Sequence, residues 1–298
     1  MIRIDASRVV LTMSPKHPAC HTVDSGTTVC IETLDCFSNT ITSEDQLFST
    51  VGWDCVNPAT GPIAVRGAVP GDTLKAEILD IVTAETGTMT THPDFGALPG
   101  TVVERTRRFR IADGEVVFDD RLRLPVKPMI GVIGTAPADE EVPTGSPKEH
   151  GGNMDTRKIA RGATLYLPVN VPGANLALGD VHAAMGDGEV SVSGLEIAAW
   201  VTLRLTVLKG RPYPLPCLVT PDEVITIASR EDLGAAVGEA TRMMRDFLVS
   251  VTELDATDAL MLLSLVGNAA ISQVVDPLQT ARMELPRTVL EAYGVRFA

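Results

Sequence analysis

Short runs in which apolar and polar residues alternate fill the first two thirds of this chain. They are clearest over residues 28–33, 73–79 and 200–207, which are rich in valine, isoleucine, leucine and threonine. A period of two places successive side chains on opposite faces of a strand, and β-branched residues favour strands. Glycine, proline and aspartate separate the runs and supply the turns. The pattern therefore predicts β structure from residue 1 to about residue 210.

The pattern changes near Pro221. Apolar residues then recur at intervals of three and four, which is the spacing of one face of a helix. The residues on this predicted face are Leu233, Val237, Ala240, Met244, Phe247 and Leu248. A second helix is predicted over residues 256–273, with Asp255 or Thr257 as its N-cap.

These patterns predict an α+β fold that is mainly β, a sandwich or barrel of short antiparallel strands with C-terminal helices. We divide the chain into a mainly β body, residues 1–210, and a C-terminal helical or α+β part, residues 211–298, packed on that body. The pattern leaves open whether the two parts form one continuous domain.

The formal net charge of −13 limits the partners of this 298-residue chain. Nucleic-acid binding needs concentrated Lys and Arg to neutralise phosphates, and the one basic run, residues 104–110, reads as the solvated face of a strand. The apolar region at 261–271 is too short to span a bilayer. The first residues also lack the apolar run of a signal peptide. We therefore expect a cytoplasmic protein that binds neither nucleic acid nor membrane.

Five cysteines give an odd count, and no two of them form a C-x-x-C pair. This usage fits reduced thiols better than a disulfide framework or a zinc–thiolate site built on such pairs. The cysteines are Cys20, Cys30, Cys36, Cys55 and Cys217.

Two glycine-rich stretches, residues 150–155 and 179–189, hold most of the candidate chemistry. Glycine lets the backbone turn sharply or approach a ligand where a side chain would clash. Few structural needs call for this mixture of acids, histidines and glycines twice, whereas a site for a metal ion or a hydrolytic water does. The candidate residues are His150, Gly151, Gly152, Asn153, Asp155, Asp180, His182, Asp187 and Glu189.

Asp180 and His182 would project from one face of an extended strand. Neutral imidazole and carboxylate oxygens suit zinc or another divalent ion, and catalytic zinc sites leave a position open for water. Glu189 could then move the proton during attack and departure. The alternative is that Asp180 and His182 only hydrogen-bond within a glycine-rich turn.

His150 stands before a Gly-Gly pair, residues 151–152, whose N–H groups could bind an oxyanion. The alternative is a solvent-facing loop histidine. A rival nucleophile is Cys36, with Glu32 or His21 as its base, although a small buried hydrophobe is the more usual role of such a cysteine. Asp35, at a strand end, could reach the same pocket. Neither a G-x-G-x-x-G nor a G-x-S-x-G motif occurs.

Eight stretches in a fixed order carry a family resemblance through nearly the whole chain. They are residues 22–26, 31–35, 57–63, 67–72, 128–134, 150–155, 179–189 and 272–277. The chain resembles the acetamidase/formamidase family of small-amide hydrolases. One departure is Cys20-His21-Thr22, which stands where relatives are often apolar and leaves the substrate open.

The resemblance implies hydrolysis of a short aliphatic amide to the carboxylate and ammonia. It also implies a smaller α/β part within the mostly β fold, and a homo-oligomer of two or more chains. The implied cofactor is a divalent metal, zinc first and calcium as the alternative.

We assign roles to the matching positions on this basis. Glu189, His150 and Asn153 are the expected catalytic residues. Asp155, Asp180 and His182 are the expected metal ligands. Further pocket residues would be Asp35, Gly151, Gly152 and Asp187. Two other functions stay open: a thiol amidase that uses Cys36, and a non-catalytic β-sandwich that binds a small ligand or a metal.

Overall fold

A computed structural model describes residues 1–209 and 213–296 of the chain. Most of this part is strand. The strands are β1 Ile2–Ile4, β2 Val9–Val10, β3 Thr12–Met13, β4 His21–Val23, β5 Thr27–Thr33, β6 Ala59–Val65, β7 Thr73–Thr83, β8 Thr86–Thr91, β9 Arg105–Ala112, β10 Glu115–Val117, β11 Arg123–Pro125, β12 Met129–Gly134, β13 Val142–Pro143, β14 Gly151–Asn153, β15 Thr164–Pro168, β16 Leu176–His182, β17 Ala199–Leu208, β18 Cys217–Val219, β19 Glu223–Arg230, β20 Asn268–Gln273 and β21 Gln279–Pro286. The helices are α1 Leu233–Val251, α2 Ala256–Val266 and α3 Arg287–Ala292.

Two large sheets organise the described residues. One has nine strands in the order β1-β5-β17-β7-β15-β18-β19-β21-β20, and the other has the order β14-β12-β16-β6-β2, with β4 beside β6. A third sheet, β11-β10-β9-β8, and the pair β13-β3 complete the set. The predicted α+β fold with mainly β character is confirmed.

The main core lies where side chains of the two large sheets meet. Ile31 and Leu203 of the nine-stranded sheet belong to the same buried cluster as Ile130 and Leu178 of the other. Burial of one such side chain contributes roughly 1.5–3 kcal/mol. Strands β12 and β16 are buried along their whole length, so any polar group on them is held in a dry environment.

The helices pack on the C-terminal end of the nine-stranded sheet. Helix α1 begins at the N-cap Asp232, whose side chain accepts the N–H of Ala235, and it buries Ala240, Met244 and Leu248. Helix α2 begins at the predicted cap, Asp255. None of the helices within the described ranges combines the length and apolarity needed to cross a membrane.

The prediction of a helix as far as residue 273 is wrong. Helix α2 ends at Val266, and Gly267 is its C-cap. The next residues form β20, which pairs with β21 in antiparallel register, for example Ala270 with Arg282. An apolar run of this length suits either element, and the neighbouring strand decides the outcome.

The nine-stranded sheet crosses the expected boundary at residue 210. Strand β18 pairs with β15, with Tyr166 opposite Cys217, so the C-terminal part extends the sheet of the β body. The division of the chain into residues 1–210 and 211–298 stays a prediction.

Candidate metal and active site

Strand pairing brings the two glycine-rich stretches together. Strand β12 lies between β14 and β16: Ile133 pairs with Gly152 on one side, and Met129 pairs with His182 on the other. As a result the Asp155 Oδ1 atom lies 3.9 Å from His182 Nε2. The stretches are two walls of one site.

His182 is the centre of this site and is completely buried. Its Nε2 atom lies 3.1 Å from Glu196 Oε2 and 3.4 Å from Asp180 Oδ1. Glu189 Oε1 is 3.9 Å away, as is Asp155. Four carboxylates thus surround one imidazole nitrogen.

Three of these acids have a left-handed backbone. The φ angles are 39° at Asp155, 54° at Asp180 and 48° at Glu189, a region that residues other than glycine rarely adopt and that costs roughly 1–3 kcal/mol per residue. At Asp180 this conformation interrupts the β12–β16 ladder, which resumes at the pair Val132–Gly179. Such strain persists only where the surrounding packing fixes it, which is typical of functional sites.

Two glycines make room for the site. A Cβ atom on Gly131 would lie 2.5 Å from Asp155 Oδ1 and 2.6 Å from Asp180 Oδ2. A Cβ atom on Gly194 would lie 2.5 Å from His182 Nδ1, and the Gly194 N–H donates to Glu189 Oε1 at 2.9 Å. Both positions require the absence of a side chain.

Burial perturbs the ionisation of every acid in the site. Burial, followed by the charge of Asp180, raises the pKa of Asp155 to about 7. Burial also raises the pKa values of Glu189 and Glu196 well above their ordinary values. Burial acts to raise the pKa of Asp180 as well, but the charge of His182 and the hydrogen bonds of its neighbours together lower that pKa.

The imidazole responds to the same neighbours. Burial acts to lower the pKa of His182, but the charges of Glu196 and Asp180 raise that pKa well above its ordinary value. One imidazolium balances only one of the four carboxylates, and unbalanced charge in a buried site costs several kcal/mol. The raised pKa values of Asp155, Glu189 and Glu196 show that these acids bind protons where no other cation balances them. The site is therefore built to receive further positive charge.

Several polar atoms of the site lack a well-directed hydrogen-bond partner within residues 1–209 and 213–296. They are Asn153 Oδ1, both carboxylate oxygens of Asp155, Asp180 Oδ1, His182 Nε2, Glu189 Oε2, Glu196 Oε2 and Asp276 Oδ2. Leaving one buried polar group unsatisfied costs about 1–3 kcal/mol. So many in one place indicate that a ligand completes the site.

Two sets of donor atoms converge here, each with its atoms within 4.8 Å of one another. The first set is Asp155, His182 and Glu189. The second set is Cys36, Asp180 and Glu196. Carboxylate, imidazole and thiolate are the ligand types that zinc takes in proteins, so the residues fit the expected metal.

A cavity of about 560 Å³ opens onto these groups. Asn153, Asp180, Glu189, Glu196 and Asp276 supply its polar wall. Its apolar wall includes Phe37, Phe48, Phe95, Val192 and Pro277. The Asn153 amide donates to Asp276 Oδ1 at 3.3 Å, which ties the first stretch to a segment 123 residues further along the chain.

The structure places His150, Gly151 and Gly152 next to the cavity wall but not among its lining residues. Burial lowers the pKa of His150 to about 4, and its Nε2 atom has no partner in the described chain. The Gly151 N–H donates to the Lys148 carbonyl at 3.1 Å. The roles assigned to these three residues stay predictions.

Asp187 and Asp35 lie outside the donor sets. Asp187 pairs with Arg282 at 2.8 Å and with Arg157 at 2.9 Å. Asp35 accepts the backbone N–H groups of Phe37 at 3.0 Å and of Asn39, so it shapes the turn after β5.

Glu196 and Asp276 are site residues that the sequence analysis did not assign. Glu196 lies between buried Leu195 and buried Ile197, and an acid at such a position is a signal for a functional role. Asp276 lies in a stretch that carried the family resemblance, 272–277. Because this stretch is far from the other motifs in sequence, its proximity to them could not be predicted.

Fold and site together define a class: a mostly β protein that encloses carboxylates and a histidine around a small pocket. The chain belongs to the acetamidase/formamidase family, because the sequence model of that family matches residues 12–143 and 138–291. The predicted resemblance is confirmed.

Three known proteins illustrate the similarity. The crystal structure of an acetamidase from Bacillus halodurans is 48% identical, with a TM-score of 0.98 over 99% of this chain and 100% of that one. A putative formamidase of Schizosaccharomyces pombe is 27% identical over 66% of this chain, and the match spans only 63% of its own length. A formamidase of Methylophilus methylotrophus is 26% identical over 76% of this chain and 72% of its own. These names agree with the predicted class, a hydrolase of linear amides.

Proposed function

We propose that this protein hydrolyses a short aliphatic amide, of the acetamide or formamide type, to the carboxylate and ammonia. The observation that carries the proposal is the set of four buried carboxylates around His182. Each carboxylate has at least one oxygen without a hydrogen-bond partner among the described residues. Membership of the acetamidase/formamidase family supports the reaction class. The names of the relatives supply the amide type.

We propose that a divalent metal, zinc first, assists the reaction. Asp155 and His182 would hold it. When bound, such an ion makes a nucleophile available from water near neutral pH and polarises a carbonyl.

The protein residues would bind the amide and move its protons. Glu189 lines the cavity, and the Gly194 N–H fixes one of its oxygens at 2.9 Å while the other oxygen has no partner. It would therefore pass the proton to the leaving nitrogen. The Asn153 Oδ1 atom, also without a partner, would accept an N–H of the amide and orient it. The aromatic wall would exclude water.

The alternatives receive less support. Burial, followed by the charges of Glu196 and Asp180, raises the pKa of the Cys36 thiol well above its ordinary value, whereas a nucleophilic cysteine needs a lowered pKa. A non-catalytic binding protein would release no ammonia from any amide. We also propose a cytoplasmic homo-oligomer of two or more chains.

Ammonia release from a panel of short amides tests the reaction. We expect Glu189→Gln to lower kcat about 10²–10⁴-fold, the usual contribution of a positioned acid or base. Asp246→Asn, which alters an exposed ion pair on α1, should leave kcat unchanged. Chelation should abolish turnover and zinc should restore it. Turnover that survives complete metal removal excludes metal assistance, and no ammonia from any amide with zinc supplied excludes amide hydrolysis.

A further inference from the structure

The second donor set lies beside the first but shares no residue with it. The Cys36 sulfur and carboxylate oxygens of Asp180 and Glu196 lie within 4.8 Å of one another. We propose that these three residues bind a second divalent ion through a thiolate, so that the pocket holds a two-ion centre. The proposal rests on the proposed function in one respect: the proposed function supplies the first ion in the neighbouring donor set.

The two acids are oriented as ligands independently of the cysteine. Asp180 and Glu196 are 2% and 1% exposed, and the Asp180 Oδ1 and Glu196 Oε2 atoms are buried without a well-directed partner in the described part of the chain. The backbone of Glu196 is fixed by two hydrogen bonds to Thr88, at 2.8 and 2.9 Å. These two bonds hold the Glu196 backbone, and with it the carboxylate, at the pocket.

The thiol is fixed as firmly. The Cys36 Sγ atom donates to Asn57 Oδ1 at 2.8 Å, and the Asn57 N–H donates to the Cys36 carbonyl at 2.8 Å. Asn57 is itself buried. The sulfur lines the same cavity as the two acids. Cys20 offers a contrast, because its sulfur donates to the Pro62 carbonyl and belongs to neither donor set.

Charge favours a second cation over an internal network. The imidazole of His182 lies within 4 Å of four carboxylates and can balance only one. A divalent ion at Cys36, Asp180 and Glu196 would release the thiol proton to solvent, so its two positive charges would balance the new thiolate and one further carboxylate. A thiolate ligand selects zinc or cobalt over calcium or magnesium. Two-ion sites are a common arrangement in hydrolytic enzymes.

Cobalt reconstitution of the full-length, metal-stripped protein tests the proposal directly. We expect two equivalents of Co²⁺ per chain and an ultraviolet charge-transfer band from a cobalt–thiolate bond. Cys36→Ser should lose the band and one equivalent, whereas the matched control Cys20→Ser should keep both. Circular dichroism of each variant checks that it is folded.

The spectra of the wild-type protein and of Cys36→Ser can each overturn the proposal. One equivalent of cobalt without a thiolate band would refute the second site, and so would a band that persists in Cys36→Ser. Amide hydrolysis in a protein that binds one ion without the band would leave the proposed function standing. Two bound ions and the thiolate band, without ammonia release from any amide, would support the second site and contradict the proposed function.

Discussion

At the scale of single residues, the site depends on backbone conformations that the chain adopts unwillingly. Asp155, Asp180 and Glu189 all have positive φ, and the tight packing at Gly131 leaves no room for a methyl group beneath the two aspartates. The position of each carboxylate is therefore set by neighbours as much as by its own residue.

Gly131→Ala tests this dependence. The added Cβ would lie 2.5 Å from Asp155 Oδ1 and 2.8 Å from the backbone oxygen of Asp180, so one or both aspartates must move. Displacements of about 1 Å cost on the order of 100-fold in rate, and we expect a loss of kcat/KM of that size. A Cβ at Gly238 on α1 would meet nothing within 4 Å, so Gly238→Ala should leave kcat/KM unchanged. Equal kcat/KM in both variants would contradict the role of Gly131.

The sequence was informative about which residues gather in the candidate site. Residue type and spacing identified Asp155, Asp180, His182 and Glu189, since acids and histidine among glycines are uncommon in a core. It did not identify Glu196, which isolated backbone bridges to Thr88 and His182 hold in the pocket. No local pattern encodes that pairing.

At the scale of elements, the C-terminal strands hold the turn that carries Glu189. Arg282 of β21 is 1% exposed and donates to Asp187 at 2.8 Å, to Glu284 at 2.7 Å and to the Ile271 carbonyl at 2.6 Å. The Gly188 N–H donates to the Ser272 carbonyl at 2.8 Å. These bonds fix the turn that precedes Glu189.

Removal of this buried cation should destabilise the fold. Arg282→Met leaves Asp187 with Arg157 and Glu284 with Lys158 as remaining partners. We therefore expect a cost near the lower end of the range for breaking a buried pair, about 3 kcal/mol. The control, Arg66→Met, breaks an ion pair with Asp24 whose side chains are 65% and 77% exposed, and should cost less than about 1 kcal/mol.

Urea unfolding measures both free energies. Similar losses for the two arginine variants would show that Arg282 contributes no more than a surface pair.

Strand pairing also explains why residues 268–273 are not helical. These residues satisfy a helical pattern locally, but the edge of β21 offers them backbone partners.

At the scale of the whole molecule, one nine-stranded sheet joins the two parts that the hydrophobic pattern separates. Strand β15 lies between β7 and β18, and Asn153 bonds to Asp276 across the site. A sheet that crosses the boundary couples the unfolding of both sides.

We therefore expect a single unfolding transition. Both tryptophans, Trp53 and Trp200, precede residue 210, so fluorescence reports on the β body, whereas helices α1 to α3 lie after it and dominate the far-ultraviolet circular dichroism. The two signals should change at the same urea concentration. Separate midpoints would indicate two independently stable domains.

By itself the sequence determined the mainly β class, the apolar face of α1, the N-cap of α2 and the two glycine-rich stretches, because each depends on residue types within a few positions. Only the tertiary structure decided that β12 brings the stretches together, that Glu196 and Asp276 join them, and that residues 268–273 form a strand. Those outcomes depend on pairing between distant segments, and the free energy of that pairing is not encoded in any one of them.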